Sequence, residues 1–575
     1  MEIKRIVGEC KEVNEDDLRK MPYLKAIVLE GLRRHPPTHL GLPHAVTEDV
    51  ILDGFYASIY FSVADIKLDS EVWEDPMAFK PESSSLTLST LPKISTIKLP
   101  PGPSTSSIIV NFLRFYKSFG DLERLLLTFH AKFGPIISLP FGSKPAIFIA
   151  DHSLAHQALV EKGAIFSDRP QSPDGTNQNY ISTAFYGSTW RLLRRNLTAE
   201  ILDSSHIKSF SNARKWVLQN LLEGLKLNSK SDHPIIVMDY FLPSMFSLLG
   251  LMCFGKQLER ERINELMKVQ RRVLMNFSRV SIMQLWPRFT KIVFRKQWDE
   301  LVQARQQLTD VWIPIIRHRK KMKEKENQHE QNGDEYILSY VDTLLELQHP
   351  EEKRNLNEEE IVHLSSEFLN AGTDTTSALL QWTMANLVKY QHIQEKLFME
   401  IKGVVGDNAE YVKEEDLQKM PYLKAVILEV LRRHPPGRIN FPRAVSEDTV
   451  LNGYVVPKNG TVNFMIGQMA IDPEVWESPL SFRPERFLRN DNYDEMFDIT
   501  GSKEIKMMPF GAGRRICPGM SLAILHLEYF VANLVWRFEW KCVDGEDVDM
   551  EEKLEFSIVM KNPLQAHVFP RLRRV

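Results

Sequence analysis

From Leu122 onward, apolar residues recur every three to four positions, the spacing that gathers them on one face of an α-helix. The pattern predicts amphipathic helices over 122–132, 154–162, 190–199, 213–227, 261–276 and 297–323. After a polar stretch at 323–334 it resumes over 337–347, 358–390 and 394–404, and once more over 520–536. β-type runs are few and short, at 135–139, 146–149 and 461–465. The expected fold class is mainly α with small β-sheets. An apolar cluster over 273–294 is interrupted by Arg and Lys, and a buried helix pair explains it more simply than a membrane interface. No run of about 18 uncharged apolar residues predicts a membrane-spanning helix, and the charged N-terminus lacks the apolar core of a secretory signal.

The pattern also repeats. Residues 21–37 read MPYLKAIVLEGLRRHPP and residues 420–436 read MPYLKAVILEVLRRHPP. The likeness begins at Met1-Glu2-Ile3-Lys4 against Met399-Glu400-Ile401-Lys402. It runs to Phe79-Lys80-Pro81-Glu82 against Phe482-Arg483-Pro484-Glu485, and stops where Ser83 stands for Arg486. Two copies so far apart are no solenoid, whose repeats must be in contact. The first copy is missing four residues near 56–61 and has no domain against which to bury its helix face. Residues 1–82 are therefore expected to be a non-functional partial duplicate of 399–485. Residues 83–107, rich in Ser, Thr and Pro, read as a linker. It contains the stiff segment Lys98-Leu99-Pro100-Pro101-Gly102-Pro103, and the main domain follows at 108–575.

Charge and cysteine content narrow the class. A net charge of -3 argues against nucleic-acid binding. The four cysteines, Cys10, Cys253, Cys517 and Cys542, form no CxxC pair, which points to a reducing compartment. Neither GxGxxG nor a P-loop is present, so no nucleotide fold is expected.

The most informative run is Phe510-Gly511-Ala512-Gly513-Arg514-Arg515-Ile516-Cys517-Pro518-Gly519. Its glycines let the backbone approach a central atom closely. Cys517 stands just before a helical pattern, and a helix N-terminus favours thiolate over thiol, the form that binds metal. Arg515 offers a cation to a carboxylate. An inert buried cysteine beside a turn is the bland alternative, and it would win for an isolated cysteine. The combined spacing reverses those odds. It resembles the haem-binding loop of the cytochrome P450 family, Phe-x-x-Gly-x-Arg-x-Cys-x-Gly, with Phe510, Gly513, Arg515, Cys517 and Gly519 at the fixed positions.

Other runs take on meaning beside that resemblance. Glu429 and Arg432 share a helix face at i,i+3, usually a surface pair of little energy. They resemble the family's Glu-x-x-Arg helix, which implies a structural pairing with Arg486. Glu30 and Arg33 repeat the pair without a third arginine or a cysteine loop, so no chemistry is expected there. Ala371-Gly372-Thr373-Asp374-Thr375-Thr376 is poor in helix formers. It reads either as a turn capped by Thr373 or Asp374, or as a helix bent by side-chain hydrogen bonds to its own carbonyls. The run resembles the family's oxygen-binding helix, which implies that Thr375 hydrogen-bonds dioxygen and Asp374 relays protons. Trp190 and Arg194 share a face at i,i+4; alone they read as a core tryptophan with an unrelated neighbour. They resemble the family's Trp-x-x-x-Arg, which implies hydrogen bonds to a haem propionate. Arg443 stands where the family often has a propionate-binding residue, and His44 is its counterpart in the fragment. Gly511 joins Phe510, Gly513, Arg515 and Gly519 as cofactor-binding positions. Arg191 and Arg195 form a second basic stripe on the Trp190 helix, usually just solvated but suited to an acidic redox partner.

The resemblance covers about 98–575 and is nearest the plant microsomal, A-type group. It implies the cytochrome P450 fold as a single haem-thiolate domain holding heme b through Cys517. It further implies a monooxygenase that inserts one atom of O2 into a hydrophobic substrate, with electrons from NADPH through a separate cytochrome P450 reductase and with cytochrome b5 as an optional donor. By family position 175–186, 368–371, 437–441 and 562–564 should face the substrate. The implied location is the cytoplasmic face of the endoplasmic reticulum membrane. The family's N-terminal membrane helix is replaced here by the duplicate, which leaves monotopic contact or a soluble cytoplasmic state open. Two rivals stand beside this reading: a non-catalytic haem protein, and an inactive fusion remnant.

Overall fold

The computed structural model describes residues 98–103, 119–141, 144–171, 180–228, 233–283, 295–326, 338–488, 497–543 and 547–571. The chain divides into two units, Met1–Lys98 and Leu99–Val575. The expected duplicate at 1–82, with Glu30, Arg33 and His44, lies outside the described residues, as does most of the 83–107 linker.

The periodic segments fold as helices: α1 (Phe119–Phe133), α2 (Ser188–Asn196), α3 (Ser211–Asn228), α4 (Met238–Phe254), α5 (Arg260–Met283), α6 (Arg295–Glu326), α7 (Tyr340–Glu346), α8 (Glu358–Lys389), α9 (Gln391–Val405), α10 (Pro421–Arg433) and α11 (Met520–Arg537). Capping chemistry explains where α8 begins. The Asn357 side chain accepts from the Glu360 amide at 2.9 Å, and Glu360 reaches back to the Asn357 amide at 2.7 Å. Glu358, Glu359 and Glu360 then sit at the positive end of the helix dipole. Pro421 opens α10, where its missing N–H costs nothing. The predicted 154–162 helix is an α turn, His152–His156, that widens into a π turn, Gln157–Glu161.

The strands are short. β1 (Ile136–Phe141) and β2 (Lys144–Ile149) form a hairpin, and β7 (Thr461–Phe464) adds to β2 in parallel. β4 (Arg443–Ala444) completes this sheet by pairing with β7, which places Arg443 opposite Val462. Three smaller sheets follow. They pair β5 (Thr449–Leu451) with β6 (Tyr454–Val456), β9 (Glu552–Leu554) with β10 (Ile558–Met560), and β11 (Gln565–Pro570) with both β3 (Ile235–Ile236) and β8 (Phe538–Lys541).

The core is helical. α8 runs through it with nearly every side chain from Ile361 to Val388 buried or half-buried. α4 packs along one side of α8 and α11 along another. The two largest apolar clusters meet on α4, α8 and α11. Gly372 lets α4 come close: a Cβ there would lie 2.5 Å from Leu249 Cδ1.

Candidate active site

Cys517 lies in the loop between a single 3-10 turn, Gly513–Arg515, and the start of α11. The loop closes on itself, since the Cys517 amide donates to the Phe510 carbonyl at 2.8 Å. Gly511 and Gly513 have φ of 70° and 68°, a region that disfavours residues with a Cβ. Gly513 has a second constraint, because a Cβ there would stand 1.9 Å from the Leu159 carbonyl oxygen. That carbonyl belongs to the π turn, so the widened turn and the glycine fit one another. The Gly519 amide donates to the Cys517 thiol, and both this bond and the Arg194 charge favour thiolate. Burial nevertheless outweighs them and raises the thiol above its ordinary value. The polypeptide by itself thus favours the thiol here, and a metal cation bound at this sulfur would favour the thiolate instead.

Beside the loop lies a buried cluster of arginines. Arg515 donates to the carbonyls of Ser167 (2.8 Å), Ile181 (3.3 Å) and Ala184 (2.6 Å), and its guanidinium stacks 4.5 Å from the Trp190 ring centre. Arg194 donates to the Ile516 carbonyl at 2.6 Å, next to the cysteine. Arg169 donates to the carbonyls of Ser182, Phe441 and Pro442. Arg443 is held by β4 with its Nε buried and unpartnered, and Trp190 Nε1 is also buried and unpartnered. Burial, then the charges of Arg515 and Arg194, push Arg443 down to about 9. Burial brings Arg515 down to about 10. Asp168 and Glu367 are the carboxylates that oppose the cluster. Four guanidinium groups face only two carboxyl groups, one of which, Glu367, burial raises towards its neutral form, so positive charge is in excess. That excess and the two orphaned N–H donors fit a dianion carrying two carboxylates, which is what a haem presents through its propionates.

The Thr- and Asp-rich run does not break α8. Thr375 donates to the Ala371 carbonyl at 2.6 Å, so its hydroxyl is satisfied inside the helix as the bent-helix alternative requires. The Thr373 hydroxyl is buried without a partner. Ser557, in the bend between β9 and β10, donates to Asp374 Oδ2 at 2.5 Å. Burial raises the Asp374 carboxyl, against the pull of Ser557 and of the Arg271 charge. An acid so placed holds a proton more readily than one in water.

Glu429, Arg432 and Arg486 come together as the Glu-x-x-Arg resemblance implies. Arg432 grips Glu429 with two bonds, at 2.7 and 2.8 Å, and both side chains are fully buried. The Glu429 carboxylate also accepts from Arg486 Nε at 3.2 Å and from the Arg483 amide at 2.8 Å. Arg432 donates onward to the carbonyls of Ala470 (2.7 Å) and Pro479 (2.9 Å). The triad thus pins the irregular segment from 470 to 486 onto α10. Of the segments expected to face substrate, 172–179 lies outside the described residues. Phe368 is buried against Tyr340, with ring centres 5.2 Å apart. Asn562 is exposed and bonded to Asp549.

This geometry can be set beside known proteins. The family described as Cytochrome P450 matches residues 1–83 and 100–569. The chain belongs to the cytochrome P450 family. Cytochrome P450 89A9 of Arabidopsis thaliana is 47% identical over 509 residues, covering 85% of this chain and 98% of that protein. Cytochrome P450 monooxygenase 76AD131 of Lophophora williamsii is 31% identical over 483 residues, covering 82% and 93%. Geranylhydroquinone 3''-hydroxylase of Arnebia euchroma is 29% identical over 488 residues, covering 82% and 94%. A zebra fish cytochrome P450 solved with abiraterone superposes with a TM-score of 0.63 at 23% identity, covering 78% of this chain and all of that one. A second structure of a zebra fish cytochrome P450, with progesterone, gives 0.64 at 21%.

The fold is therefore the P450 fold, mainly helical with small sheets, and the protein is a haem-thiolate monooxygenase of the plant A-type group. Membership also implies a redox partner and a hydrophobic substrate. Asp168, Arg169, Glu367 and Ser557 escaped the motif-based reading. Arg169, Glu367 and Ser557 reach partners far away in sequence, 272 residues for the Arg169–Phe441 bond, 186 for Glu367–Ile181 and 183 for Ser557, while Asp168 holds an irregular loop at Tyr186, 18 residues on; no local motif spacing signals either.

Proposed function

We propose that Cys517 is the sulfur ligand of the haem iron, and that Trp190, Arg194, Arg443 and Arg515 receive the propionates. The carrying observation is the pair of orphaned buried donors, Trp190 Nε1 and Arg443 Nε, beside an arginine cluster that its carboxyl groups only partly compensate. Trp190 and Arg443 offer hydrogen bonds. Arg515 contributes charge, since its donors already hold three backbone carbonyls. Phe510, Gly511, Gly513 and Gly519 shape the loop around the sulfur. Bound through a thiolate, the haem supplies oxygen activation, because sulfur electron density favours O–O cleavage. On the other side Asp374 is a buried carboxyl that keeps a proton more readily than one in water, and Thr375 stands one residue away to orient its delivery. Glu429, Arg432 and Arg486 keep the segment leading to the cysteine loop in place.

Electrons come from NADPH through a separate cytochrome P450 reductase, with cytochrome b5 as a second donor. Arg191, Arg195 and Arg514, all exposed near the Trp190 helix, suit an acidic partner surface. The substrate is a hydrophobic small molecule. The enzyme works on the cytoplasmic face of the endoplasmic reticulum through monotopic contact. Among the described residues no helix is long and apolar enough to cross a membrane. Residues 1–82 are a partial duplicate without a catalytic part.

With a reductase supplied, the purified holoprotein should consume oxygen in proportion to NADPH. Asp374→Asn should slow that consumption by about 100-fold, the scale of a lost general acid. An unchanged rate in the variant contradicts the proton-delivery role. A wild type that binds haem but never consumes oxygen contradicts the monooxygenase assignment for this chain.

A further inference from the structure

Glu367 lies on α8 two turns before Thr375, and neither the haem ligand set nor the proton path uses it. Its carboxylate leaves the helix to hold backbone: Oε2 accepts from the Ile181 amide at 2.7 Å and Oε1 from the Ser182 amide at 2.8 Å. The Ser182 side chain adds a further hydrogen bond. The segment so held, 181–186, has neither helix nor ladder partners of its own. The Ala184 amide donates to the Tyr180 carbonyl at 2.9 Å, and charged side chains from other elements take several of the other backbone groups. Arg515 takes the carbonyls of Ile181 and Ala184, Arg169 takes that of Ser182 at 2.7 Å, and Asp168 accepts from the Tyr186 amide at 2.9 Å. Arg169 also donates to the carbonyls of Phe441 and Pro442, directly before Arg443. After Gly187 the same chain enters α2, which carries Trp190 and Arg194.

The strap at 181–186 thus lies between the oxygen-binding helix on one side and the arginine cluster on the other. Arg515 is aimed by two strap carbonyls, and its guanidinium in turn stacks on Trp190. Burial raises the Glu367 carboxyl, while the two amides, the Ser182 side chain and the Arg169 charge pull it back; the anchor for the strap is the pair of short amide bonds to its two oxygens. We propose that Glu367 is a positioning residue for the haem site: its grip on Ile181 and Ser182 holds the strap against the arginine cluster and sets how tightly the haem is retained. This rests on the propionate role given above to Trp190 and Arg443.

Gln at 367 keeps the shape of Glu but turns one acceptor into a donor that opposes a backbone N–H. Asp keeps both acceptors and loses one methylene. The test uses the full-length holoprotein and follows haem transfer to excess apomyoglobin by absorbance. Glu367→Gln should release haem about tenfold faster than wild type, as expected for one buried amide N–H left without its acceptor. Glu367→Asp should stay within about threefold of wild type. A space-filling role predicts the opposite order, with Gln benign and Asp harmful, and that order overturns the proposal. Arg443→Leu separates the two layers of the argument. If it speeds haem release while Glu367→Gln does not, the propionate reading stands and the Glu367 proposal falls; if neither variant speeds it, both fall. Should Glu367→Gln fail to accumulate with haem, amide hydrogen exchange of the wild-type holoprotein decides. The Ile181 and Ser182 amides should be protected, and exchange at the rate of an open loop overturns the proposal.

Discussion

At the scale of single residues, burial sets several protonation states against their ordinary values, and one of them falls in the neutral range. Glu528 on α11 is nearly inaccessible, and desolvation pushes its carboxyl up to about 7 against the pull of Lys424. Between its unfolded value of 4.5 and about 7, the folded state holds a proton that the unfolded chain has released. The native state then binds more protons, so stability must fall as pH rises through that window and level off above it. Glu528→Gln removes the titrating group. Denaturant unfolding at pH 5 and pH 8 should show the wild type losing on the order of 2–3 kcal/mol more than the variant between the two. Equal losses would show that Glu528 is not buried as described. Motif spacing signalled Cys517, Asp374, Thr375 and the Glu429–Arg432 pair. It signalled neither Glu528 nor Glu367, because a carboxylate on an otherwise apolar helix looks solvated until its surroundings are known.

At the scale of elements, agreement with the pattern tracks how periodic each helix is. α3, α6 and α8 stand within one to three residues of their expected ends, since each presents a polar face to solvent or carries cap residues that punctuate it. α4 was not legible. Its sequence is apolar all round and carries Pro243 in its second turn, so no 3.6-residue stripe stands out although the helix is central to the core. β3–β6 and β8–β11 escaped for another reason: most span two to four residues, too short for alternation to register. The cysteine loop was legible as a motif, but the reason for one of its glycines was not. Gly513 answers both to a left-handed φ and to the Leu159 carbonyl 1.9 Å from where a Cβ would sit. Gly513→Ala should therefore displace the loop from the π turn, and the purified variant should carry less than about a tenth of the wild-type haem per chain. Haem content near wild type would mean that the two elements yield without cost.

At the scale of the molecule, the described fold is complete without the first segment. The sheet, the helical core, the arginine cluster and the cysteine loop all belong to the unit Leu99–Val575. The repeat at the front was legible from residues alone, because 21–37 and 420–436 differ at only a few positions. What it lacks was legible too, since Ser83 replaces the arginine that elsewhere reaches Glu429. Deleting Met1 to Thr90 should leave haem per chain and the spectrum with CO unchanged. A deletion protein that loses haem would assign the first segment a part in folding.

Each part of the proposed site depends on the Cys517 sulfur binding haem iron. The most direct test is the absorption spectrum of the reduced full-length protein under CO, compared with that of Cys517→Ser. The wild type should show the strongly red-shifted band of a thiolate-ligated haem, and the variant should lack it. A wild type without the band, or a variant that keeps it, contradicts the assignment.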